Sequence, residues 1–169
     1  MQRLNKDEYN PYYETYISKV PDENILELLA KQIEIIKKET EYISEEKGLH
    51  KYAPDKWTIK QLLGHINDTE RVFSYRALRF SRNDKTPLPG FDQDDFVNES
   101  NSNIIKINDH VEEFIKLRES NLAMFKNFSE DMWTRRGIAN NNGMSVRAIP
   151  YVMYGHAEHH LRVLKEKYL

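Results

Sequence analysis

Gly155-His156-Ala157-Glu158-His159-His160 holds half of the six histidines in this 169-residue chain. It lies inside a helical pattern: Val146, Ile149, Met153, His156, His160 and Val163 recur at spacings of three and four and so share one face. His156 and His160, at i and i+4, project side by side from the stripe that should point into a core. Two imidazoles so placed can hold one divalent ion, but a good site needs a third ligand. The bland alternative is a pair of hydrogen-bonded, partly buried histidines. His159 lies about 60° to the flank of the other two, where it is expected to meet solvent or a neighbouring side chain rather than the ion.

Working back from that segment, Ser145 is the expected cap of helix 4, with Pro150 near its first turn, where proline perturbs a helix only locally. Residues 129–144, with Asn140-Asn141-Asn142-Gly143, read as a polar connector with turn chemistry. Helix 3 is expected from around Ile105 to Phe125, with Val111, Phe114, Ile115, Leu122 and Phe125 on its buried stripe; Asp109, with Glu112 three on, caps it if it starts late. Residues 81–103 are rich in proline, glycine, asparagine and aspartate and lack periodicity. A connection of about twenty residues is uncommon within a compact domain; in a bundle it can carry the chain end to end and make helices 2 and 3 run parallel. Its aspartates do not have the spacing of a calcium-binding loop.

Helix 2 opens with Thr58-Ile59-Lys60-Gln61, the form of a capping box, and carries Leu62, Leu63, Ile66, Phe73, Ala77 and Phe80 on its core face. His65 falls roughly 90° from the centre of that face, at an edge that looks across to a neighbouring helix. It is the candidate third ligand, making His65, His156 and His160 a triad on facing helices. Glu70 sits within the apolar stripe, either paired with a cation or supporting a metal ligand. Helix 1 is read from Pro21-Asp22, with Asp22 as its cap, to about residue 46, ended by Gly48. The tyrosine-rich lead-in at residues 9–20 is read as packing over one end of the bundle, with the wall of a ligand pocket as the other reading. His50 and His110 read as surface histidines.

The bulk numbers bound the function. The length suits one domain, 1–169, and an apolar fraction of 39% with 31% charged residues suits a soluble, helical protein. A net charge of −2 with no basic stripe argues against nucleic acid. No apolar run approaches the roughly 18 residues of a membrane span, and Met1 to Glu8 contain no apolar signal region, so a cytoplasmic location is expected. Cysteine is absent. Any metal must therefore be held by histidine and oxygen, and any thiol chemistry must use a thiol brought by the substrate. Neutral imidazoles suit zinc or nickel first, and manganese or iron after them.

Lys56-Trp57-Thr58-Ile59-Lys60-Gln61-Leu62-Leu63-Gly64-His65-Ile66-Asn67-Asp68-Thr69-Glu70 resembles the second-helix motif of the DinB-like superfamily. Leu88-Pro89-Gly90-Phe91-Asp92-Gln93 is similar to that family's loop, and Gly155 to Leu161 to its final-helix motif. The resemblance runs from about Tyr9 to the end. It implies an all-α fold, a four-helix bundle with a long crossover between helices 2 and 3, and a divalent metal on His65, His156 and His160. It also places the chain near bacillithiol transferases and mycothiol-dependent isomerases. The expected function is then transfer of a low-molecular-weight thiol to an electrophile such as an epoxide, a halide or an activated ring. Hydrolysis of a substrate by metal-activated water is the alternative, with Glu70 or Glu158 as base, and a non-catalytic metal-binding helical module the second alternative. Arg135, Arg136 and Arg147 are candidates to bind carboxylates of the thiol cosubstrate. The partners expected are a small-molecule thiol and its electrophile, with a homodimer as an open option.

Overall fold

The structure, a computed structural model, describes residues 4–169; residues 1–3, which begin the stretch read above for a signal region, lie outside it. Four long helices, numbered here α1 to α4, form the body: α1 Ile25–Thr40, α2 Ile59–Ser81, α3 Ile107–Lys126 and α4 Ala148–Val163. The capping box of α2 forms as expected, with the Gln61 amide donating to Thr58 Oγ1 and the Thr58 amide to Gln61 Oε1, both at 3.0 Å. Ser145 Oγ accepts the amide of Ala148, but the N-cap of α4 is Arg147, which makes no side-chain cap bond, rather than Ser145.

Helix α1 departs from expectation at both ends. Its cap is Asn24, whose side chain accepts the Leu26 amide at 3.0 Å, rather than Asp22. It stops at Thr40, not near 46, where the Thr40 hydroxyl donates back to the Ile36 carbonyl at 2.7 Å. Ile43 keeps its apolar contact from a turn, which is why spacing alone reads as more helix. Gly48 stops nothing. It is buried in a short turn, Lys47–Leu49, where a Cβ would meet Ile107 Cδ1 at 2.9 Å.

Cross-helix contacts fix the directions. Ile107 donates its amide to Glu45 while Arg118 reaches the Leu29 carbonyl, so α1 and α3 are antiparallel. Thr58 meets Asn103, Asn67 meets His110 and Glu70 meets Arg118, so α2 and α3 run parallel. Tyr168 bonds the Trp57 carbonyl and His156 faces His65, so α4 opposes α2. Gln32 with Tyr154, and Glu39 with Lys165, make α1 and α4 parallel. The bundle is thus up–down–down–up, with the crossover required by that order.

The crossover carries a short helix of its own, Gln93–Glu99, started by Asp92, whose side chain accepts the amides of Asp94 and Asp95. The polar connector contains a helical turn, Glu130–Thr134, and a hairpin of β1 Arg136–Ala139 with β2 Asn142–Ser145. Asn140 and Asn141 turn it, both at positive φ (49° and 61°), the conformation of the favoured two-residue hairpin turn. Leu88 bonds to the hairpin edge through Ile138 and Asn140, tying the crossover down.

A buried polar network crosses the middle of the bundle. Arg118 donates to both carboxylate oxygens of Glu70 (2.7 and 3.0 Å), to Gln32 Oε1 (2.8 Å) and to the Leu29 carbonyl. Asn121 adds a bond to Glu70, and Gln32 donates to the Tyr154 carbonyl on α4. All four long helices are joined by it. Among the described residues, no helix is long and apolar enough to cross a membrane.

Candidate metal centre

Helix α2 carries His65 on its buried face and α4 carries His156 and His160 one turn apart. Because the two helices pack antiparallel, the three rings converge. Nε2 of His156 lies 3.0 Å from Nε2 of His65 and 3.1 Å from Nε2 of His160. Among the described residues, the three form a histidine group whose ligand atoms all lie within 4.8 Å of one another.

Hydrogen bonds cannot account for this cluster. An imidazole nitrogen has a single in-plane position, filled by either a hydrogen or a lone pair. Nε2 of His156 cannot serve two other Nε2 atoms at once through it. Neutral ring nitrogens gathered this closely would be satisfied by a shared cation, for which imidazole is a natural ligand. Burial pushes all three imidazoles below their ordinary range, His65 to about 4 although Asp94 pulls it upward, and His156 and His160 well down. The rings are therefore neutral at neutral pH, the form that binds metal.

The surroundings hold the rings in place. Trp57 packs on His65 with centroids 4.7 Å apart, and its indole N–H donates to Asp94. Tyr16 packs edge-on against both His156 and His159. That approach depends on Gly155: a Cβ there would lie 2.5 Å from the Tyr16 carbonyl oxygen. The tyrosine-rich lead-in thus closes over the site, and Tyr12, Tyr13 and Tyr16 wall a cleft of about 250 Å³ that His65 and His156 also line.

The other candidates go elsewhere. Glu70 is paired with Arg118 and is not free to act as a base. Glu158 is half-buried and does not line the histidine cleft. Arg135 is held by Asp131 and the Ser81 carbonyl, Arg136 by Asp7, and Arg147 by Glu8; none of the three lines the histidine cleft. His159 stands half-buried outside the triad, and His50 is exposed. His110 is a correction: it is buried, with Nε2 3.1 Å from the Ser102 carbonyl. Gly64 permits this, since a Cβ there would lie 2.2 Å from Ser102 Oγ.

Two residues of the cleft escape a sequence reading that treats α2 as core face and surface. Thr69 and Arg76 follow His65 and Phe73 along one stripe, at i, i+4, i+8 and i+11, and all four line the cleft. That stripe is visible in the sequence once its polar members are counted with its apolar ones.

The family model of the DinB superfamily matches residues 28–164. No curated protein matches the chain significantly. Among solved structures, YfiT from Bacillus subtilis, described as a probable metal-dependent hydrolase with an unusual four-helix bundle topology, superposes with a TM-score of 0.75. It is 13% identical, and the match covers 90% of this chain and 95% of that one, a likeness of fold.

Proposed function

Because this chain belongs to the DinB superfamily, we propose that it is a divalent-metal enzyme transferring a small-molecule thiol to an electrophilic substrate, its ion held by His65, His156 and His160. The observation that carries the metal is the mutual approach of three neutral Nε2 atoms with no hydrogen-bond solution. Zinc and nickel suit such a donor set first. A divalent ion there supplies the positive charge that favours thiolate over thiol at neutral pH.

The chain's own part is one of positioning. Trp57 and Tyr16 fix the planes of the His65 and His156 rings. Phe73, Phe91 and the tyrosines give the cleft an aromatic side facing its polar one. In the transfer, the thiol sulfur bonds to an electrophilic carbon, the leaving group departs with its electron pair, and the thiol proton passes to solvent. No protein base is required for that. Transfer is favoured over hydrolysis because Glu70 is held by Arg118 and neither Glu70 nor Glu158 lines the histidine cleft. Hydrolysis stays as the second reading because YfiT is described as a probable hydrolase.

The test is elemental analysis followed by a substrate screen. Purified protein should carry close to one divalent ion per chain; His65→Ala, His156→Ala and His160→Ala should each lose it, and His159→Ala should keep it. Metal retained in a triad variant would refute the ligand set. Electrophiles are then offered with bacillithiol, glutathione, coenzyme A or water as acceptor. Turnover with water alone would replace transfer by hydrolysis.

A further inference from the structure

We propose that Arg76 receives an oxyanion, a carboxylate or phosphate group carried by the substrate, within the cleft that opens onto His65 and His156. That the oxyanion belongs to the substrate rests on the metal-enzyme reading above; that Arg76 binds one does not.

Arg76 is only 4% exposed, yet among the described residues no carboxylate lies within ion-pairing distance of it. Its guanidinium touches neutral groups: Nη2 donates to the Pro89 carbonyl at 3.3 Å, the Tyr13 hydroxyl is a further partner, and the plane lies 5.0 Å from the Phe73 centroid. A buried cation without a counter-ion is costly unless something charged completes it. The bundle's other deeply buried arginine, Arg118, has the bidentate carboxylate that Arg76 lacks.

A second, independent observation points into the same space. Thr69 Oγ1 is buried and has no hydrogen-bond partner, although it lies one turn beyond His65 and lines the cleft. A helical threonine normally turns its hydroxyl to a carbonyl of the preceding turn. This one is left for a ligand. Along α2 the order is imidazole, hydroxyl, ring, guanidinium, which spans about 16 Å between the Cα atoms of His65 and Arg76 at 1.5 Å per residue. An arginine side chain leans toward the N-terminus of its helix, shortening the gap to the triad. The planar fork of Arg76 suits the two oxygens of a carboxylate or two of a phosphate. On this reading either the thiol or its electrophile bears an acidic group, and that group, not Arg135, Arg136 or Arg147, sets its orientation.

The experiment uses the full chain with metal removed, so that an anion cannot be credited to the ion. Acetate, succinate and inorganic phosphate are titrated calorimetrically at constant ionic strength, with chloride as control, against wild type, Arg76→Lys and Arg76→Met. The expected result is binding above the chloride control in wild type, weakened roughly thirtyfold or more in Arg76→Met, with Arg76→Lys between. The stronger of carboxylate and phosphate identifies the source. Arg76→Met should melt no lower than wild type, because an unpaired buried charge has been removed. Equal binding in wild type and Arg76→Met, or none above chloride in wild type, would overturn the proposal. So would a lower melting temperature in Arg76→Met with unchanged anion binding, which is what a purely structural tie to Pro89 would give. Metal reloading of the same variants separates the two readings: Arg76→Met should still take one ion per chain, and failure of wild type to take any would strike the metal centre alone.

Discussion

Two polar centres are buried in this bundle, five residues apart along α2, and they are built on opposite principles. Around Glu70 the donors and acceptors match: Arg118, Asn121 and Gln32 complete one another across all four long helices. Around His65 they do not. Three neutral imidazoles face one another with more lone pairs than hydrogens can serve, and the open cleft beside them holds a threonine hydroxyl without a partner. Buried polar groups that satisfy each other are scaffold, whereas buried polar groups that cannot are arranged for something that arrives from outside.

The closed centre should break hardest. Arg118→Ala strands the Glu70 carboxylate in the interior and is expected to cost about 3–5 kcal/mol in urea unfolding. Replacing both partners by apolar residues of similar volume, Glu70→Leu with Arg118→Met, should recover most of that. A single substitution costing less than about 1 kcal/mol would mean that the network is not the keystone its bonds describe.

Gly155→Ala comes next. The new methyl would sit 2.5 Å from the Tyr16 carbonyl, and the neighbour is backbone that cannot swing aside. Overpacking of this kind costs about 1–3 kcal/mol. Because the displaced segment covers His156, faster amide exchange in residues 14–17 should accompany the loss; unchanged exchange there would sever the link between the glycine and the lid.

Acid separates the centres further. Unfolded imidazoles titrate near 6.5, while burial holds those of the triad below that, His65 down to about 4. Below about pH 6.5 the unfolded chain of the metal-free protein binds more protons than the folded one, so stability falls as pH drops toward 4. His65→Leu should flatten that slope. Glu8 adds a separate loss. Against the burial that would raise it, hydrogen bonds from Arg147, the Asn5 amide and Ser145 hold its carboxyl at about 2. Its contribution, present above 4.5, therefore disappears only as pH falls from there toward 2. Denaturant midpoints between pH 7.5 and 3 read both. A wild-type slope between 6.5 and 4 that His65→Leu leaves undiminished would remove His65 from the account, since His156 and His160 supply only the remainder.

How much of this was legible in the sequence follows the range of the interaction. The Thr58–Gln61 box is a pair of local bonds and could be read directly. The parallel course of α2 and α3 was legible from the length of the crossover, and the triad from histidine spacing together with the family motifs. The partner of Glu70 lies 48 residues away, so the sequence could offer only the choice between a cation and a metal ligand. His110 reads as a surface residue because nothing nearby announces that Gly64 lets Ser102 close over it. The hairpin strands are four residues each, too short to display alternation. Arg135, Arg136 and Arg147 cluster around the hairpin, where each is paired with a carboxylate, whereas nothing local in the sequence marks Arg76 out on its long helix.

The smallest effect on stability carries the sharpest information about the open centre. His156→Leu, nearly isosteric, removes the nitrogen that two other rings contend for. In the metal-free protein at pH 8 the expected change is within about 1 kcal/mol of zero, since replacing unsatisfied polar atoms by an apolar group of similar shape is close to neutral. The stabilisation that added zinc or nickel gives wild type, RT ln(1 + [L]/Kd), should vanish in the same variant. A large loss without metal would mean that the imidazole cluster is itself a structural bond network. The contrast with the Glu70 centre would then collapse, because both would be scaffold.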